Sequence, residues 1–165
     1  MEYDITKELT SWQIDPDERF MREAFKEALK AAEAEEVPVG AVIVHDGHII
    51  ARAYNQVEML NDATAHAEMI AMTQASAALN NWRLTGATMY VTKEPCAMCA
   101  GAMVNARLER LVYGVPDKQF GGAVSLFPIV DNPSLRHRVQ VTSGVMAQEC
   151  KDLLRDFFLK VRQKD

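Results

Sequence analysis

Cysteine is scarce, with three residues in a chain of 165. A small secreted domain stapled by disulfides carries more, usually in even number. The count therefore excludes that class and points to a reducing compartment, the cytoplasm. No apolar run approaches the about 20 residues that span a bilayer, so no membrane partner is expected. Met1 to Ile14 lack the basic-then-apolar order of an export signal. Ser/Gly linkers, internal repeats and low-complexity tracts are missing, and the length suits one core, so a single domain over 1–165 is expected. Cations are in deficit, 18 Lys and Arg against 23 Asp and Glu, a formal charge of −5. That balance excludes a uniformly basic nucleic-acid binder, but the deficit is local. Residues 1–36 hold 11 acids and 5 bases, leaving 37–165 at +1. Phosphate contacts need only a local patch of cations. Arg155, Lys160, Arg162 and Lys164 near the end could form one, or could simply suit a helix C-terminal dipole.

What is present alternates between helical and extended patterns. Asp15-Pro16 reads as an N-cap followed by proline at the first helical position. Phe20, Met21, Ala24, Phe25, Ala28, Leu29 and Ala32 then recur at helical spacing, predicting an amphipathic helix over 16–36. Residues 39–44 and 48–53 are β-rich runs joined at His45-Asp46-Gly47, a hairpin signal. Further helices are expected over 64–78, 95–106 and 145–162, with strands over 87–92, 110–115 and 139–142. A short helical turn is expected over 125–130. Such alternation predicts an α/β fold, a mixed sheet of about five strands with helices on both faces.

Two short segments carry chemistry, His66-Ala67-Glu68 and Pro95-Cys96-Ala97-Met98-Cys99. His66, Cys96 and Cys99 are natural Zn²⁺ ligands. H-x-E followed by P-C-x-x-C is a signature of zinc-dependent nucleobase deaminases. Each segment follows a strand or loop and opens a helix. Residues two apart do not share a helix face, so His66 and Glu68 meet at one site only if it lies off the first turn. Cys96 and Cys99, three apart, share a face, and Pro95 suits the first helical position. A helix N-terminus also favours the thiolate form that binds metal.

A structural zinc site is closed by four protein ligands, whereas a catalytic one keeps a position open for water. Candidates for a fourth ligand are Cys150, His45, His48 and His137. Cys150 reads as a small core residue on the last helix's apolar stripe. His45 and His48 flank a turn, and His137 lies in a surface loop. Two thiolates and a neutral imidazole neutralise the ion, which lowers the pKa of a water towards about 7. Glu68 suits the catalytic role, taking that proton, passing it to a ring nitrogen and helping ammonia leave. Taken alone, Glu68 would read as an ordinary first-turn acid.

The chain resembles the bacterial tRNA-specific adenosine deaminases. The resemblance rests on Glu36-Val37-Pro38-Val39-Gly40-Ala41-Val42, Thr64-Ala65-His66-Ala67-Glu68 and Glu94 through Met103, with Glu149-Cys150 and Phe157-Phe158 later. It runs from about Phe20 to Arg162. It implies a three-layer α/β/α cytidine-deaminase-like fold, a homodimer, and one Zn²⁺ per subunit. It also implies action on a tRNA anticodon stem-loop, where adenosine at the wobble position is flipped out and converted to inosine by attack at the purine C6. By family position Asn55 contacts the target nucleoside, the Ala67 N–H donates to its base, and Asp117 faces neighbouring nucleotides. The basic end of the last helix would contact RNA. Departures are Ala63 ahead of the Thr64-Ala65-His66 segment, Lys93 where an apolar residue is usual, the loop Lys118–Val124, and an extension over residues 1–15. Two other readings are a deaminase of a free nucleobase or nucleoside and a zinc-stabilised binding module. The second would require a fourth protein ligand.

Overall fold

The computed structural model describes residues 14–164. The readings made for residues 1–13 lie outside the described residues. Helix α1 (Pro16–Glu33) leads into the strands β1 (Gly40–His45) and β2 (His48–Tyr54), then a one-turn helix α2 (Val57–Leu60) and helix α3 (Ala67–Leu79). β3 (Ala87–Lys93), α4 (Ala97–Asn105) and β4 (Arg110–Val115) follow, and after a long connection β5 (Gln140–Ser143) and α5 (Ala147–Lys164) complete the order.

The Asp15 carboxylate accepts the Asp17 N–H at 2.7 Å, and Pro16 opens α1 as expected. β1 and β2 form the expected hairpin. Its turn residues Asp46 and Gly47 both take positive φ, 49° and 76°, which Asp-Gly tolerates at low cost. β1 also pairs antiparallel with β3, while β3–β4 and β4–β5 run parallel. The result is a mixed sheet of five strands in the order β2-β1-β3-β4-β5.

Side chains alternate across this sheet and so sort the helices. Ala41, Ile43, Met89 and Leu111 share one buried cluster with α3 and α4 residues such as Ala71, Ala75, Ala100 and Met103. Val42, Val44, Tyr90 and Val112 share another with Phe20, Met21 and Ala24 of α1. Cys150 and Leu153 of α5 pack on Phe25 and Ala28 of α1. Two helices thus lie on each face, giving the expected three-layer α/β/α fold.

The boundaries differ in ways that matter to the site. α3 begins at Ala67, not Thr64, because His66 is extended (φ −74°, ψ 150°) and serves as the N-cap. α4 begins at Ala97 with Cys96 as N-cap, so Pro95 precedes the helix and is not its first residue. Residues 125–130 are not helical: the turn falls at 122–125, and residues 127–129 are irregular. α2 was not foreseen, since four residues are too few to show a period. α1 ends at Glu33, and Glu35 then takes positive φ (58°).

Gly40 sits directly beneath α1. A Cβ there would lie 2.1 Å from the Ala24 carbonyl oxygen and 2.3 Å from the Ala28 nitrogen. Backbone cannot swing aside as a side chain can. Gly40→Ala is therefore expected to cost at least about 3 kcal/mol, the upper end for overpacking, read as a lowered denaturant midpoint. An unchanged midpoint would refute this close approach.

Candidate active site

The starts of α3 and α4 meet at one point. His66 Nδ1 lies 3.6 Å from Cys96 Sγ and 3.5 Å from Cys99 Sγ. All three candidate ligand atoms fall within 4.8 Å of one another, and among the described residues they are the one such group. The N-cap positions explain how residues from separate motifs converge. An extended N-cap directs its side chain off the end of its helix, and Cys99, in the first turn of α4, reaches the same point. The macrodipoles of both helices favour negative charge there.

The two thiols divide one proton between them. The hydrogen bond from Cys99, and beyond the opposing effect of burial that with His66, pull Cys96 down to about 3. The same thiol pairing and burial push Cys99 up. A cation at this point would release the second proton, as metal binding to thiols does. His66 is shifted up, chiefly by its hydrogen bond with Cys96. Glu68 is 4% exposed, and burial raises its carboxyl above the usual carboxylate range. A carboxyl raised in this way holds a proton more readily than a solvated one, as an acid–base group requires.

His66, Glu68 and Cys96 line a cavity of about 330 Å³ whose wall also includes Val39, Asn55, Ala67, Lys93 and Asp117. Asn55 follows β2, Val39 precedes β1, Lys93 ends β3 and Asp117 follows β4. The cavity therefore sits off one end of the sheet, at the carboxyl ends of the parallel strands, where α/β folds place ligands. Of the site residues expected from sequence, His66, Glu68, Cys96, Asn55, Ala67 and Asp117 line it, and Cys99 is fully buried behind its wall. Asn55 is buried, with its backbone N–H donating to the Val39 carbonyl at 3.0 Å. The Ala67 N–H belongs to the first helical turn, where no intrahelical acceptor exists. Asp117 accepts from the backbone N–H groups of Gln119 (2.9 Å) and Phe120 (3.1 Å) and pairs with Lys93 at 2.9 Å. Burial opposes its ionisation, but Lys93 and these N–H groups hold its pKa below the usual value.

None of the four alternative ligands joins the cluster. Cys150 is buried on the opposite sheet face. His48 contacts the Asp46 carbonyl, and His45 faces the Asp46 carboxylate. His137 is not simply a surface-loop residue. It is part-buried, and its Nε2 lies 2.6 Å from the Leu108 carbonyl oxygen, tying the approach to β5 down onto the segment before β4.

Sequence reasoning gave no role to two buried acids beside the cavity. Glu36 accepts the N–H groups of Glu58 (3.1 Å) and Met59 (2.6 Å), holding α2 against the cavity wall. Glu94 accepts N–H groups from Asp117 (3.0 Å), Val124 (2.9 Å) and Ser125 (2.9 Å), and the Ser125 hydroxyl as well. It organises the whole 117–125 loop. The available signal was the placement of each acid beside a proline-containing apolar segment, where a solvated charge is out of place.

The fold and site are shared with known proteins. The family model for MafB19-like deaminases matches residues 15–162. A tRNA-specific adenosine deaminase of Bacillus subtilis is 48% identical, over 90% of this chain and 92% of that protein. Another from Streptococcus pyogenes is 44% identical, over 93% of this chain and 96% of that one. A solved structure from studies of A-to-I editing by tRNA:A34 deaminases at the wobble position superposes with a TM-score of 0.79 and 44% identity, covering 82% of this chain and 98% of that one. A guanine deaminase from Nitrosomonas europaea, at 22% identity and a TM-score of 0.75, shares the fold. With a deaminase model spanning nearly all of it and relatives identical at almost half its positions, the chain belongs to the tRNA-specific adenosine deaminase family.

Proposed function

We propose that this chain is a single deaminase domain that hydrolyses adenosine to inosine at the wobble position of a tRNA anticodon, with one Zn²⁺ per subunit. The observation that carries the reading is the His66, Cys96 and Cys99 cluster beside a buried Glu68, within a cavity of base-binding size, in a chain of this family.

The donor spacing fits zinc. A tetrahedral ion about 2.3 Å from sulfur and about 2.1 Å from nitrogen sets sulfur and nitrogen about 3.6 Å apart. The measured separations are 3.6 and 3.5 Å. Three ligands leave a fourth position for water, which disfavours a closed structural site. Bound zinc supplies an activated water with a pKa near about 7.

Glu68 takes the proton of the attacking water and delivers it to the purine nitrogen next to C6. It then takes the proton of the hydroxyl now bonded to C6 and passes it to the exocyclic amine, which leaves as ammonia as the C6–N bond breaks. Burial lets the carboxyl hold the proton between these transfers. Asn55 contacts the target nucleoside, the Ala67 N–H donates to the base, and Asp117 meets the neighbouring nucleotides. Single-stranded RNA offers such a base at little cost in unstacking.

A homodimer in the cytoplasm is part of the same reading. Trp82 is 54% exposed beside Met69 and Met72 in a groove between α3 and α4, an apolar face suited to a second copy. Among the described residues no helix is long and apolar enough to cross a membrane. Three free thiols fit a reducing compartment.

The test is turnover of zinc-loaded protein on anticodon stem-loops with wobble adenosine, beside free adenosine, cytidine and guanine. Inosine is expected in the stem-loop alone. Ammonia from a free base or nucleoside alone would overturn the substrate.

A further inference from the structure

Phe120 has no role in the chemistry above, yet it lines the same cavity as His66, Glu68 and Asp117 while remaining 65% exposed. A single exposed ring needs no occupant in itself; its place on the wall of the cavity is what sets this ring apart. The loop is tied on both sides of it. Its own N–H donates to the Asp117 carboxylate at 3.1 Å. Gly121 bridges to Cys96, and the Gly122 N–H donates to the Pro95 carbonyl at 2.7 Å. A Cβ at Gly121 would lie 2.5 Å from Glu94 Oε2, and one at Gly122 would lie 2.7 Å from the Ala97 nitrogen. Gly121 is thus pressed against Glu94 and Gly122 against the start of α4, so the backbone just after the ring is held close.

We infer that Phe120 is a substrate-binding residue, a stacking platform for the nucleobase next to the deaminated one. This rests on the proposed action on RNA. A nucleotide flipped into the cavity pulls its neighbours to the mouth and unstacks them. Unstacked bases are recognised by aromatic faces in single-stranded RNA. The cavity is continuous with the ring, so the adjacent base is the group that reaches it.

The test is steady-state kinetics of the zinc-loaded full chain on the wobble-adenosine stem-loop. Phe120→Ala is expected to raise KM about 5- to 150-fold, the range for losing one base–aromatic stack, with kcat unchanged. Phe120→Trp should keep the wild-type KM. An abasic nucleotide at one of the two flanking positions should raise KM for the wild type, and Phe120→Ala should then add little. An equal KM for wild type and Phe120→Ala would overturn the inference. So would an equal loss on intact and abasic substrates, or a lowered kcat alone. A shift in oligomeric state by light scattering would instead assign the ring to a second copy. A wild-type protein inactive on the stem-loop overturns the parent reading, and this one with it.

Discussion

Glu68→Gln is expected to keep its metal and its fold and to lose turnover by on the order of 10⁴-fold, the upper end for a general acid–base group. The upper end applies because the proposed mechanism gives the same carboxyl at least two proton transfers. Gln is nearly isosteric and neutral, and the buried position already disfavours charge, so substitution leaves little strain. Zinc content by elemental analysis and melting temperature should match wild type. A variant with normal zinc and near-normal kcat would remove Glu68 from the mechanism. One that loses zinc together with activity would make it a metal-site residue.

Cys96→Ala is expected to abolish stoichiometric metal binding and, with it, activity. Cys96 carries the negative charge of the thiol pair and is the N-cap of α4. Its loss leaves two donors, too few for a tetrahedral site, and outer groups cannot compensate. The fold should survive, because the clusters on both sheet faces do not depend on the ion. Cys150→Ser provides the contrast. Burial pushes that thiol up to about 12, and it packs between α1 and α5, so the substitution should lower stability and leave metal content intact. Full zinc in Cys96→Ala, or lost zinc in Cys150→Ser, would overturn the ligand assignment.

Much of the fold was legible because its signals are local. Alternation in Val39–Val44 and helical spacing from Phe20 to Ala32 each lie within one element, and each marks which face is buried. The helix starts at the site were misjudged for a physical reason. Thr64, Ala65 and Pro95 have acceptable helix-start chemistry, but convergence on one point requires His66 and Cys96 to be extended. Residues 116–139 contain no regular helix or strand, and periodicity has no purchase there. Their path is held by Glu94 and by His137 at Leu108, contacts across 23 to 31 residues in sequence.

The sequence by itself determined the reaction chemistry, because ligand type and spacing within H-A-E and P-C-A-M-C are properties of a few adjacent residues. It also determined the layered α/β class, because burial period is written into each element. Only the tertiary structure decided that the two motifs meet within 3.6 Å. The same holds for the two acids that hold the cavity walls and for the ring left at its mouth. These depend on strand order and loop path, and long-range pairing leaves no local pattern in the chain.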